Sequence, residues 1–123
     1  MIPRISGSEW KIMKILWTKD TATVNEILAE FSDPKPPAPA VFTFLNRLTR
    51  KGIVEVVATS PLKRFRAIMP EADCARSEFH SLLDKVFDGQ VSNLVDTIVA
   101  EGQLDDADAK KLEKMLKERK KKA

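Results

Sequence analysis

One cysteine, one histidine and four glycines are all that 123 residues contain of those types, and each scarcity removes a class of function. With Cys74 alone, no intrachain disulfide can form and no cysteine pair can hold a metal. A redox-sensing thiolate needs cations beside it, and Arg76 is thin support for one, so a buried, inert thiol is expected. His80 has no second histidine with which to share a zinc ion. No Ser-His-Asp set, paired-carboxylate site or phosphate-cradling glycine loop can be assembled from this inventory, so neither catalysis nor a cofactor or metal is expected. The opening Met1-Ile2-Pro3-Arg4 lacks the apolar core of a secretory leader, and no run approaches the roughly 20 apolar residues of a membrane span. The expected location is the cytoplasm, with no membrane partner.

Charge is what the chain does have, and it is unevenly placed. Residues 1–70 hold 11 Lys and Arg against 6 Asp and Glu, whereas residues 71–123 hold 10 against 12. A hydrophobic content of 43% beside 32% charged residues fits a folded protein with a core. One basic half and one slightly acidic half suggest that the first meets a polyanion and the second does something else.

Ser6 and Glu9 stand at capping-box spacing ahead of Trp10, Met13, Leu16 and Trp17, which predicts a first helix over about residues 7–18. Thr23 and Glu26 repeat the box ahead of Val24, Ile27, Leu28 and Phe31, a short second helix. The run Asp33-Pro34-Lys35-Pro36-Pro37-Ala38-Pro39 cannot be helical, because its four prolines remove amide donors. A third helix is expected to start near Pro39 and to stop at Gly52, with Val41, Phe44 or Leu45, and Leu48 facing inward. Ile53 to Ala58 and Arg64 to Ile68 then read as antiparallel strands around a tip at Thr59 to Lys63. Two strands are marginal alone, so the hairpin must pack on the helices.

A basic helix leading into a basic hairpin is the arrangement of a winged helix-turn-helix, in which the helix enters the major groove and the hairpin lies on neighbouring phosphates. The fold class predicted is mainly α with a small β-hairpin: a winged helix-turn-helix over residues 1–70, then a helical dimerisation segment over residues 71–123. Thr43 and Asn46 are the candidate base readers, Asn for adenine and Thr for a thymine methyl or a phosphate. Arg47, Arg50 and Lys51 of the helix, with Lys63, Arg64 and Arg66 of the hairpin, are the candidate phosphate anchors. Arg47 has an alternative partner in Glu55, and Arg50 and Lys51 would also suit any helix C-terminus. Phe42 is an aromatic ring on an otherwise polar face, free to pack on the second helix, touch a thymine methyl or fill a contact between chains. If each half-site neutralises three to five phosphates, a dimer would bind DNA with a salt slope of about −5 to −9. The rival reading is a winged-helix module that binds protein, marked by exposed Phe42 and Phe44 and by cations tied up internally.

After Pro70 the composition turns to helix formers carrying apolar stripes. Phe79, Leu82, Leu83 and Val86 form one, Leu94, Val95 and Ile98 a second, and Leu112 and Leu116 lie on a last helix that begins acidic and ends in lysines. Three short helices cannot bury all of this in one another, and pairing with a second copy removes both sets of stripes from water. These nine residues are therefore the expected dimer contacts.

Taken in order, Ile5 to Trp17, Thr23-Val24-Asn25-Glu26-Ile27, Thr43 to Gly52, Phe79 to Leu83, Phe87-Asp88-Gly89 and Gln103-Leu104 resemble the penicillinase repressor family along almost the whole chain. The resemblance implies a homodimeric repressor on a palindromic double-stranded DNA operator. In antibiotic-responsive members it also implies a membrane sensor protein that triggers proteolysis in the dimerisation segment, near Thr97-Ile98 here, where this chain lacks the residue pair of the best-known members. The C-terminal cysteines of the copper-responsive relatives are absent. A further departure lies at the start of the recognition helix, where the family's hydroxyl or cationic residues are replaced by Pro37, Ala38, Pro39 and Ala40.

Overall fold

The computed structural model describes residues 2–122, the last of them in its backbone only. Capping chemistry sets the first two helices. In α1 (Gly7–Leu16) the Glu9 amide donates to the Ser6 hydroxyl at 3.2 Å and the Ser6 amide to the Glu9 carboxylate at 2.8 Å. Thr23 and Glu26 repeat both bonds at the start of α2 (Val24–Ala29), at 3.2 and 3.1 Å. The first helix closes two residues before its expected end, because the Thr18 and Lys19 amides turn to the Ile15 and Leu16 carbonyls, each at 3.0 Å.

In α3 (Ala38–Arg50) Pro37 stands at the N-cap without a side-chain bond, and Val41, Leu45 and Leu48 form the buried stripe. Its end is a Schellman turn: the Gly52 amide reaches the Thr49 carbonyl and the Ile53 amide the Leu48 carbonyl, both at 3.1 Å, with Gly52 at φ 76°. A Cβ at Gly52 would meet no atom within 4 Å, so only the backbone conformation resists substitution. Gly52→Ala should accordingly cost about 1 kcal/mol in a urea melt, and a neutral result would show that the turn relaxes freely.

That turn launches β1 (Val54–Ala58), which pairs antiparallel with β2 (Arg64–Ala67), Val54 opposite Ala67 and Val56 opposite Phe65, with a bulge between Val56 and Ala58. Each strand is one residue shorter than its apolar run, because the Ile53 carbonyl takes the Ile68 and Met69 amides at 2.9 and 3.3 Å. A rung that the sequence pattern did not announce joins Ala22 to Phe65: the Ala22 amide donates to the Phe65 carbonyl at 2.9 Å and receives the Phe65 amide on its own carbonyl at 2.8 Å. It ties the α1–α2 connection to the hairpin and supplies the third backbone partner that two strands alone lack. A single-residue bridge has no alternation to detect.

Ile12, Met13 and Leu16 of α1, Ile27 of α2, the α3 stripe and Phe65 of β2 make one core. Trp10 and Trp17 are half-buried at its edge, their rings 5.5 Å apart, and the Trp17 indole donates to the Met69 carbonyl at 2.8 Å. The first compact unit runs over residues 1–78 and the second over residues 79–123. Composition had placed the boundary at Pro70, but α4 (Glu71–Phe87) begins inside the first unit, where Cys74 is buried in the core and Glu71 pairs with Lys14.

The second unit comprises the end of α4, α5 (Val91–Ala100) and α6 (Asp106–Lys122). Asp88 and Gly89, at φ 51° and 75°, break the first pair of helices, and Gly102, at φ 68°, closes α5 in a second Schellman turn. Among the described residues, no helix is long and apolar enough to cross a membrane.

Candidate nucleic-acid interface

The inward stripe of α3 fixes what its other face can present. With Val41, Leu45 and Leu48 fully buried, Phe42, Thr43, Arg47 and Arg50 are exposed and Asn46 is half-buried. Thr43, Arg47 and Arg50 follow at spacings of four and three, one row along the helix. The Thr43 hydroxyl donates to the Pro39 carbonyl at 2.9 Å, so outward it offers an acceptor and a methyl group. Asn46 makes no side-chain hydrogen bond among the described residues, and both ends of its amide stay available. The Arg47 guanidinium lies 5.6 Å from the centre of the Phe44 ring. Glu55, its alternative partner by sequence, is taken by Arg66 instead.

The hairpin cations are disposed differently. Arg64 lies 2.7 Å from Glu26 Oε1, donates to Glu26 Oε2 at 3.2 Å and to the Thr21 hydroxyl at 3.0 Å, and Arg66 pairs with Glu55 across the strands. The bond from the Thr23 amide acts first, and with the charge and bond of Arg64 it outweighs the opposing effect of burial and holds the Glu26 carboxyl below its ordinary value. Both pairs are at the surface, where such contacts contribute little and can exchange partners. Lys63 has no carboxylate partner among the described residues; its ammonium sits 5.1 Å from the Phe42 ring centre and 5.8 Å from that of Phe65.

Lys51, grouped by sequence with the anchors, has a different post. It reaches back to α1, 2.7 Å from the buried Glu9 carboxylate and 2.8 Å from the Arg4 carbonyl. Among the described residues, then, Arg47, Arg50 and Lys63 are the cations of α3 and the hairpin that no carboxylate neutralises.

Between the start of α2, the first turn of α3 and the hairpin tip lies a shallow recess of about 650 Å³, floored by Val24, Ala38, Pro39, Phe42 and Leu62. Thr43 and Lys63 stand on its rim, with Thr23 and Asn25, and no carboxylate among the described residues lines it. Of that floor the sequence reading named Phe42 as a surface residue, Ala38 and Pro39 only for the donors they lack, and Val24 as part of the second helix's apolar stripe; Leu62 carried no signal. The Cys74 thiol is pushed up by burial and then by the charges of Asp73 and Glu71, the opposite of what a reactive thiolate needs.

In the second unit the expected contact residues divide. Phe79, Leu82, Val86, Val95, Leu112 and Leu116 are exposed, whereas Leu83 is buried and Leu94 and Ile98 are half-buried within the chain itself. Val91, Val99 and Met115 join the exposed set. Their spacing continues the stripes, Val91, Val95 and Val99 falling at successive fours along α5.

A family model described as penicillinase repressor matches residues 5–118. The methicillin resistance regulatory protein MecI of Staphylococcus aureus is 26% identical over 113 residues, covering 91% of this chain and 92% of that protein. The penicillinase repressor of Bacillus licheniformis is 27% identical over 120 residues, covering 97% and 94%. Among solved structures, the DNA binding domain of the repressor BlaI superimposes with a TM-score of 0.52 at 27% identity, over 59% of this chain and 90% of that one. Monomeric Bacillus licheniformis BlaI in complex with the blaP half-operator gives 0.50 at the same identity and coverage.

Proposed function

The chain belongs to the penicillinase repressor family, and from that membership we propose that it is a DNA-binding transcriptional repressor, a homodimer on a palindromic operator. The observation that carries the proposal is the outer row of α3, where Thr43, Asn46, Arg47 and Arg50 stand free of carboxylates on a helix braced from behind, beside a hairpin that presents Lys63. The helix occupies the major groove, with Asn46 and Thr43 against base edges and Arg47 and Arg50 on phosphates, and the hairpin lies on the flanking backbone. That BlaI has been solved on a half-operator supports this use of the fold. The exposed stripes of α4, α5 and α6 pair with those of a second copy, so that each dimer carries two DNA-binding heads.

Selection from random duplexes tests the activity, and sedimentation at micromolar concentration tests the assembly. An enriched inverted repeat and a dimer are expected; no enrichment, or a monomer, would remove the corresponding half of the proposal. On a selected duplex, Asn46→Ala should shift preference at one base pair by about 1 to 3 kcal/mol, whereas Arg50→Gln should weaken all duplexes alike.

The rival reading, a module that binds protein, draws on the exposure of Phe42 and on the pairing of Arg64, Arg66 and Lys51. Arg47, Arg50 and Lys63 weigh against it, because a protein-binding face has no use for three unneutralised cations beside a groove-sized helix. A protease acting near Thr97-Ile98 would meet mid-helix backbone, with the Thr97 hydroxyl bonded to the Asn93 carbonyl, and would cut only after α5 unwinds.

A further inference from the structure

We infer that the head recognises thymine by its methyl group, which seats in the apolar recess between α2, α3 and the hairpin tip. The inference rests on the DNA-binding reading above and adds a base class to it. In a helix-turn-helix the first turn of the recognition helix is the part that approaches base edges. Here that turn is Pro37, Ala38, Pro39 and Ala40, four side chains without a donor or acceptor. The side chains of such a turn can contribute only apolar contact. The major-groove edges of the four bases carry one apolar group, the C5-methyl of thymine.

The structure places a matching surface at that turn. Val24, Ala38, Pro39, Phe42 and Leu62 form a concave floor, wide and open enough to admit the edge of a base pair rather than to enclose a separate ligand. Phe42 is 38% exposed and held in place, its ring edge-on to Phe65 at 6.3 Å and covered by the Lys63 ammonium. The rim supplies what a methyl reader next to a phosphate chain requires: an acceptor and a methyl from Thr43, a cation in Lys63 that no carboxylate among the described residues neutralises, and no carboxylate among those residues to repel the backbone. An apolar side chain of another protein would fit the floor equally well. It is the cationic, acid-free rim that favours DNA.

The test uses the full chain and one duplex recovered by selection, synthesised once with thymine and once with deoxyuridine. Uracil keeps the pairing edge and the O4 acceptor and loses only the methyl group. The dissociation constant should rise about fourfold for each methyl seated. Phe42→Ala should bind the thymine duplex more weakly and no longer distinguish the two. Equal affinity of the unaltered chain for both duplexes would overturn methyl recognition while leaving DNA binding intact. A selection that enriches no duplex would overturn the DNA-binding reading itself and assign the recess to a protein partner. Should Phe42→Ala fail to fold, the comparison on the unaltered chain decides alone.

Discussion

Replacing Lys51 by Met should lower the stability of the N-terminal unit by about 3 kcal/mol, whereas Arg50→Met one residue away should change it by less than about 0.5 kcal/mol. Lys51 Nζ lies 2.7 Å from Glu9 Oε1, and Glu9 is 1% exposed. The same oxygen accepts the Ser6 amide at 2.8 Å, while Oε2 is buried with no hydrogen-bond partner among the described residues. Without the ammonium, a carboxylate would stay in the core held by the helix cap alone, which is the costly way to break a buried pair. Lys51 itself is 30% exposed, which places the cost at the low end of the range for such pairs. Glu9→Gln should be milder, about 1 kcal/mol, because glutamine still closes the capping box, and the double variant should regain most of the loss. For a unit of this size the Lys51→Met deficit corresponds to a fall of roughly 15 °C in Tm.

The pair also carries a pH signature. Burial pushes the Glu9 carboxyl up, but the bonds from Lys51 and from the Ser6 amide and hydroxyl, with the Lys51 charge, outweigh it and leave the group below its ordinary value. A folded value beneath the unfolded one, about 4.3, contributes stability that is present above that pH and lost as the pH falls through the folded value. Removing Lys51 leaves burial with less to oppose it, so protonation would then relieve the fold. The gap between Lys51→Met and the unaltered chain should therefore narrow from pH 7 to pH 4 in parallel thermal melts. A gap that stays constant with pH would mean that Lys51 acts by packing and not by neutralising Glu9.

Lys51 also marks where sequence reading reached its limit. Elements with a local signature were legible: Ser6 with Glu9 and Thr23 with Glu26 announced two helix starts, Gly52 announced a helix end, and Val41 and Leu48, with either Phe44 or Leu45 between them, announced the buried face of α3. Those signals depend on residues three or four apart, which the backbone itself brings together. The bond between Glu9 and Lys51 spans 42 positions and the Arg64–Glu26 contact 38, and no periodicity encodes such pairings. Four of the cations named as phosphate anchors looked equivalent in the chain: Lys51, Lys63, Arg64 and Arg66. Only the packed structure gives three of them carboxylate partners and leaves Lys63 against aromatic rings. The recess was hidden for the converse reason. Ala38 and Pro39 read only as missing donors, and become a surface when Val24 of α2 and Leu62 of the hairpin tip stand beside them.

Affinity for a selected duplex should fall about 1,000-fold between 50 and 200 mM monovalent salt, with a log–log slope of about −5. Arg47, Arg50 and Lys63 are unneutralised in each chain, and two chains on one operator would displace counterions from about six phosphates. Allowing five phosphates per half-site had extended the range to −9. The structure withholds Arg64 and Arg66 by pairing them with Glu26 and Glu55, and Lys51 by pairing it with Glu9. The two surface pairs can be released without harming the fold, since Glu26→Gln keeps the α2 capping box and Glu55 is on an exposed strand edge. The doubly neutralised variant, Glu26→Gln with Glu55→Gln, should therefore bind all duplexes more tightly at low salt and show a steeper slope, approaching −9. Because the added contacts go to phosphates, its preference among sequences should not sharpen. A slope in the unaltered chain shallower than about −2 would show that α3 and the hairpin do not lie along the DNA backbone. A variant slope unchanged from the parent would place Arg64 and Arg66 away from the phosphates and leave the hairpin's contact to Lys63.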